Sequence, residues 1–146
     1  MADKGNLEQR LAAVEDELAI KRLVGKYVCA IDDRDLATLT GLFTADARFR
    51  SADGAMDASG RETIVEFFKQ RYTALGPTNH VSHDHLIDFQ GPDRARGQVS
   101  SHAEMWRDGR ATLAAIRYAD AYEKADGVWR FADRCLSFFY YFPLSD

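Results

Sequence analysis

Near the start of the chain apolar residues recur at intervals of three and four: Leu7, Leu11, Val14 and Leu18, then Ile20, Leu23, Val24, Tyr27, Val28 and Ile31. Residues three and four apart share a helical face, so this spacing predicts one long helix over 7–31, or two with a bend. The stripe changes face near Leu18, and its first part is expected to pack on something other than the core, such as a neighbouring subunit. The run Asp32-Asp33-Arg34-Asp35 should end the helix, with Asp35 capping a second short helix over 36–43. Residues 47–51 read as a brief strand and 51–60 as a small-residue, acid-rich loop. Ile64, Val65, Phe67, Phe68 and Tyr72 give a third helix its apolar face before Gly76-Pro77 stops it.

After Pro77 the period changes to two, with strands expected near 80–90, 94–107, 110–124 and 127–142. Gly91-Pro92-Asp93, Asp108-Gly109 and Asp126-Gly127 separate them as hairpin turns. Helices first and a four-stranded antiparallel meander second predict an α+β fold rather than a parallel α/β one. With 146 residues, 46% of them hydrophobic, one domain over 1–146 is expected. The formal charge of -4 comes from scattered acids and bases, which excludes a concentrated basic surface, so nucleic acid is not an expected partner. Residues 1–6 are polar, and no run approaches the ~20 apolar residues of a membrane span; no membrane partner is expected, and the expected location is cytoplasmic. Cys29 and Cys135, far apart in apolar-patterned segments, read as buried free thiols.

The candidate chemistry centres on His80. Neutral imidazole titrates near operating pH, which suits a general base, and a carboxylate on its other ring nitrogen would fix the tautomer; Asp32 is the candidate. Tyr27 is a candidate proton donor, and Arg134 a candidate for stabilising developing negative charge. Each has a plainer alternative. Asp32 can be a helix-end acid, His80 a strand-start histidine, Tyr27 a core ring and Arg134 the partner of a surface acid. Helix geometry adds a condition, because five residues turn ~500° and leave Tyr27 and Asp32 ~140° apart. Asp32 must therefore leave the helix inward at its end, or Tyr27 must reach around.

His80, His83, His85 and His102 also form a possible ligand set, with His83 and His85 expected on one strand face. A metal site is not the expectation, since the long N-terminal helix contradicts the all-β folds that use such spacing. Counting in twos puts Val99, Ser101, Ala103 and Met105 on one face and Ser100, His102, Glu104 and Trp106 on the other. If Ala103 and Met105 line a cavity, His102 faces outward. Likewise, an inward Arg134 predicts inward Leu136, Phe138 and Tyr140 in the aromatic end of the chain.

Taken in order, Tyr27-Val-Cys-Ala-Ile-Asp32, Leu42-Phe-Thr-Ala-Asp46, Thr78-Asn-His80 with Asp84, Tyr122-Glu-Lys-Ala-Asp-Gly-Val-Trp129 and Arg134 resemble the SnoaL-like branch of the NTF2-like superfamily. The resemblance covers nearly the whole chain. It implies an α+β, NTF2-like cone-shaped half-barrel, a curved antiparallel sheet wrapped around the long helix and two shorter ones. Within the branch the residues are most similar to lyases: scytalone dehydratase, bile acid 7α-dehydratase and hexachlorocyclohexane dehydrochlorinase. Such a likeness implies elimination of water or another small group from a small apolar cyclic or aromatic substrate, without cofactor or metal. Asp32, His80, Tyr27 and Arg134 would be catalytic, and Phe49, Phe68, Ala103, Met105, Tyr118 and Phe138 would contact substrate. Ala103 and Phe138 depart from the acid and arginine of the bile acid enzyme, which argues against a 7α-hydroxysteroid. An isomerase, a ligand-binding module and a small subunit of an aromatic-ring dioxygenase are the alternatives the branch offers. It also implies a homo-oligomer, dimer or trimer.

Overall fold

The computed structural model of the chain describes residues 5–144, so the polar residues 1–4 read above lie outside the described residues. Helix α1 is unbroken over Leu7–Asp32 and opens with a capping box: Asn6 accepts from the Gln9 backbone at 2.9 Å while Gln9 accepts from the Asn6 backbone at 3.0 Å. Its stripe of Ile20, Leu23, Val24, Tyr27, Ala30 and Ile31 is buried. Leu7, Leu11, Val14 and Leu18 stay between 55% and 75% exposed, the change of face expected from the spacing. Helix α2, Leu36–Gly41, is capped by Asp35 as predicted but ends early, because Phe43 already belongs to a strand.

That strand, β1 (Phe43–Ser51), starts well before the expected position and pairs in parallel with the last strand. The acid-rich loop conceals a further short strand, β2 (Asp57–Ser59), antiparallel to β1. Helix α3 covers Arg61–Ala74. The meander follows as β3 (Thr78–Phe89), β4 (Arg94–Arg107), β5 (Arg110–Ala125) and β6 (Val128–Pro143). Both two-residue hairpins carry positive φ at each central position, 52° and 76° at Asp108-Gly109 and 52° and 75° at Asp126-Gly127, as type I′ turns require.

The cone-shaped half-barrel is not what forms. The six strands make one open sheet in the order β2-β1-β6-β5-β4-β3. Closure would need hydrogen bonds between the end strands, whereas among the described residues β2, three residues long, pairs only with β1, and β3 pairs only with β4. Helix α1 packs against β3 and β6 and α3 against β1 and β2, and a continuous cluster of buried residues joins helices to sheet.

Two bulges correct expectations made by counting in twos. An irregularity between Ser82 and His85 puts His85 half-buried while His83 is exposed, so these histidines do not share a face. Another, between Ala115 and Ile116, pairs Phe138 with Ile116 but Tyr140 with Ala115 and Tyr141 with Ala114. Tyr141 thereby takes the place expected for Tyr140 on the cavity side and lines its mouth, though both residues remain exposed. The thiols also differ from expectation, since Cys29 is exposed on the outer side of α1 and Cys135 only partly covered; both are free.

Candidate active site

The end of α1 is built to deliver Asp32. Arg34 adopts the left-handed conformation, φ 60°, and the backbone closes a Schellman motif in which Asp35 N–H donates to Ala30 C=O at 2.9 Å and Arg34 N–H to Ile31 C=O at 3.3 Å. A non-glycine residue in that region costs ~1 kcal/mol or more, and Arg34 offsets it through its side chain. Its guanidinium donates to the carbonyls of Gly76 and Leu75 and lies 4.3 Å from the Tyr72 ring centroid. The helix end is thus fastened to the segment that leads into β3, where Thr78 and His80 stand.

There Asp32 Oδ1 accepts from Thr78 Oγ1 at 2.9 Å and lies 2.6 Å from His80 Nδ1, while Oδ2 accepts from the His80 backbone at 2.8 Å. As the last residue of α1, Asp32 reaches inward at the helix end, while Tyr27 faces the core one turn and more earlier. Burial pushes the Asp32 carboxyl up, but the hydrogen bonds from His80 and Thr78 outweigh it and hold the pKa below the usual carboxylate value. An ionised Asp32 makes Nδ1 the donor, which leaves the lone pair of the neutral ring on Nε2. Nε2 has no hydrogen-bond partner among the described residues.

His80 opens on a narrow chamber of about 40 Å³. Tyr27, Phe49, Phe68, Met105, Tyr118 and Phe138 line it; Ala103 is fully buried on the same face of β4 but is not at the wall. Met56, Arg71, Ile116 and Leu136 also reach the wall. Ile116 and Leu136 had a signal in the sequence, alternating with Tyr118 and Phe138. Met56 and Arg71 had none, because one sits in the loop that conceals β2 and the other among the polar positions of α3. Through Met56, Arg71, Met105 and Phe138 the chamber meets a wider mouth of about 450 Å³, completed by Ala55, Arg107 and Tyr141.

Arg134 lies behind this wall, fully buried and absent from the lining. Its guanidinium carbon is 3.9 Å from the Tyr118 ring centroid, 4.2 Å from Tyr27 and 4.5 Å from Phe131. Nε lies 3.3 Å from Asp120 Oδ1 without hydrogen-bond alignment, and the terminal nitrogens have no partner among the described residues. Asp120 Oδ2 accepts from Tyr122 Oη at 2.8 Å, and that hydroxyl is 3.0 Å from His85 Nε2. Burial pushes Asp120 up to about 6 against the opposing pull of Arg134. Burial and then Arg134 push His85 down to about 4. Tyr27 is raised well above the usual phenol value, by burial first, so it stays protonated; Arg134 opposes that rise.

The sequence pattern pointed to no role in the site for Asp120 or Tyr122, although Tyr122 opens one of the segments that resemble the family. Counting in twos from Tyr118 would have placed both inward, and Asp120 pairs across the strands with Arg134. His83 and His102, 2.6 Å apart, sit on the outer face, and among the described residues no three His, Cys, Asp or Glu side chains converge on a metal position. No helix among the described residues is long and apolar enough to cross a membrane.

Comparison with solved structures finds the same arrangement of elements. Hexachlorocyclohexane dehydrochlorinase from Novosphingobium barchaimii is 21% identical, with a TM-score of 0.86 over 93% of this chain and 94% of that one. A protein from Novosphingobium aromaticivorans proposed to be a scytalone dehydratase is 22% identical, with a TM-score of 0.84 over 92% and 91%. A Mycobacterium tuberculosis protein of unknown function is 24% identical, with a TM-score of 0.77 over 94% and 78%. At such identities the likeness is one of fold. Residues 12–135 match the SnoaL-like domain itself, and the chain belongs to that family, within the NTF2-like superfamily.

Proposed function

We propose that the chain is a cofactor-independent lyase that eliminates water, or another small leaving group, from a small, mostly apolar cyclic or aromatic substrate. The observation that carries this reading is the His80 ring, held through Nδ1 by Asp32 at 2.6 Å and turned toward a chamber walled by two phenols. His80 Nε2 takes a proton from a substrate carbon, the C–H electron pair becomes the new double bond, and the C–O bond breaks. Tyr27 or Tyr118 gives its phenolic proton to the departing hydroxide, so that water leaves. Asp32 stabilises the imidazolium, and proton return from imidazolium to phenolate through solvent resets the site. Arg134 acts as a positioning residue: stacked beneath both phenols, it lowers the cost of their transient negative charge. Two similar folds bear names of eliminating enzymes, which supports the choice of reaction class.

The same proton transfers would serve an isomerase, with the paired phenols holding an enolate oxygen. Product mass separates the two, since elimination removes the mass of one water. The test is a mass-spectrometric screen of hydroxylated alicyclic and aromatic ketones and acids with the wild type and His80→Gln. An unsaturated product is expected from the wild type, with turnover lower by ~10²–10⁴ in the variant. Full turnover by His80→Gln would refute the mechanism.

A further inference from the structure

Charge at the cavity mouth is left uncompensated. Arg71 and Arg107 both wall it, and among the described residues no carboxylate lines it. Arg71 is half-buried, yet its side chain makes no hydrogen bond or ion pair among the described residues; the Phe67 ring has its centroid 5.9 Å from the guanidinium carbon. Burial first, then repulsion from Arg107, lowers its pKa, and the groups that favour its charged form are the phenols of Tyr27, Tyr141 and Tyr118 rather than an acid. Arg107 is more exposed, donates to Tyr141 Oη at 3.2 Å and lies 3.7 Å from Asp108, whose side chain is 90% exposed. An ion pair so open to solvent neutralises little. Other arginines of the sheet are matched closely, Arg48 by Asp57 at 2.7 Å and Arg50 by Asp133 at 2.8 Å.

A guanidinium that has lost part of its hydration without gaining a partner is costly, and an arriving anion relieves that cost. The place of Arg71 is also specific, because it borders both the mouth and the chamber that holds His80. The chamber, at about 40 Å³, admits only the reacting edge of a ligand, so the body must lie in the mouth against Met56, Met105 and Phe138. We infer that the substrate is a carboxylic acid on an apolar ring or chain, its carboxylate held in the fork of Arg71 where chamber and mouth meet, with Arg107 reinforcing the field at the rim. This rests on reading the chamber as the reaction site. The planar guanidinium fork matches a carboxylate with two parallel hydrogen bonds.

The test is calorimetric titration of the whole chain with cinnamate, cyclohexanecarboxylate and naphthoate, each against its primary amide, which keeps the shape and removes the charge. At least one acid is expected to bind about tenfold or more tightly than its amide, in line with a charge-assisted hydrogen bond, and to weaken at high salt. In Arg71→Gln the acid should lose that advantage while amide affinity stays, showing the cavity intact; Arg107→Gln should reduce it less. Should Arg71→Gln fail to fold, Arg71→Met, which keeps the packing on Phe67, reads the same difference. Amides binding as well as acids, no acid binding at millimolar concentration, or an acid preference that survives loss of Arg71 overturns the proposal. Because binding is read without turnover, His80→Gln should retain the acid preference, so failure of the elimination chemistry and failure of the anchor are distinguishable.

Discussion

Replacing Arg134 by methionine should cost far more than the loss of a surface charge, and the cost should depend on pH. Arg134 and Asp120 have no exposed side-chain surface, and Asp120 retains only the Tyr122 hydroxyl once the guanidinium is gone. Breaking a buried pair by removing one partner typically costs ~3–5 kcal/mol, because the other charge stays behind without compensation. For a chain of this size that predicts a fall in Tm of roughly 6–20 °C. Burial already holds Asp120 up at about 6 with Arg134 opposing; without Arg134 it must rise further. A carboxyl whose folded pKa exceeds its unfolded value contributes stability below the unfolded value and loses it as pH rises through the folded one. Arg134→Met should therefore lose stability from about pH 4 through 6 and beyond, each further unit of pKa being worth ~1.4 kcal/mol. Asp120→Asn combined with Arg134→Met removes the stranded charge, and should recover a large part of the loss at pH 8 and flatten the dependence. Urea denaturation of the three proteins (wild type, the single variant and the double variant) at pH 5.5 and 8 measures this. A single variant within ~1 kcal/mol of wild type at pH 8, or a double variant no better than the single one, would refute the account.

Two further predictions concern the histidines. Asp32→Asn should destabilise the fold by ~1–3 kcal/mol at pH 7, because His80 and Thr78 lose a charged acceptor. Its folded pKa is depressed, so this stability is present above the unfolded value of 3.8 and lost as pH falls through the lower folded one. Denaturant midpoints of wild type and variant should converge toward pH 3. His85→Gln should flatten a different slope: with the folded pKa pushed down to about 4 from 6.5, the wild type has this contribution above pH 6.5 and loses it as pH falls toward 4. Tm against pH shows it as a shallower acid decline in the variant; an unchanged decline counts against the burial of His85.

The elements that local pattern controls were legible in the sequence. The buried stripe of α1, the Asp35 cap and the two Asp-Gly turns each follow from a single spacing or residue preference. Pairing between distant segments was not, because β1 meets β6 in parallel and β2 has three residues with no periodicity to display. The expected closure of the sheet failed for the same reason: whether end strands meet depends on tilt and stagger, which no local window contains. The two bulges had a similar effect on individual side chains, since one extra residue in β3 or β6 reverses every later inward and outward assignment along that strand.

This asymmetry explains which part of the candidate site had a signal. Asp32 and His80 stand at element ends, where a capping acid or a strand-start histidine already draws attention, and the ordered pieces around them resemble a family. What joins them is Arg34, a residue without any motif, which holds the left-handed turn and the segment before β3 at once. Arg71 is hidden more completely: on α3 it looks like one more solvated cation, and only the fold shows it half-buried at a cavity that no acid lines among the described residues. On the proposed reading, specificity is carried by residues whose type is ordinary and whose surroundings are not. The two arginines of the mouth and the Asp32–His80 pair come from different elements, α3 and β4 for the first and α1 and β3 for the second. If the proposed roles hold, the first can change to select another substrate while the Asp32–His80 pair stays in place.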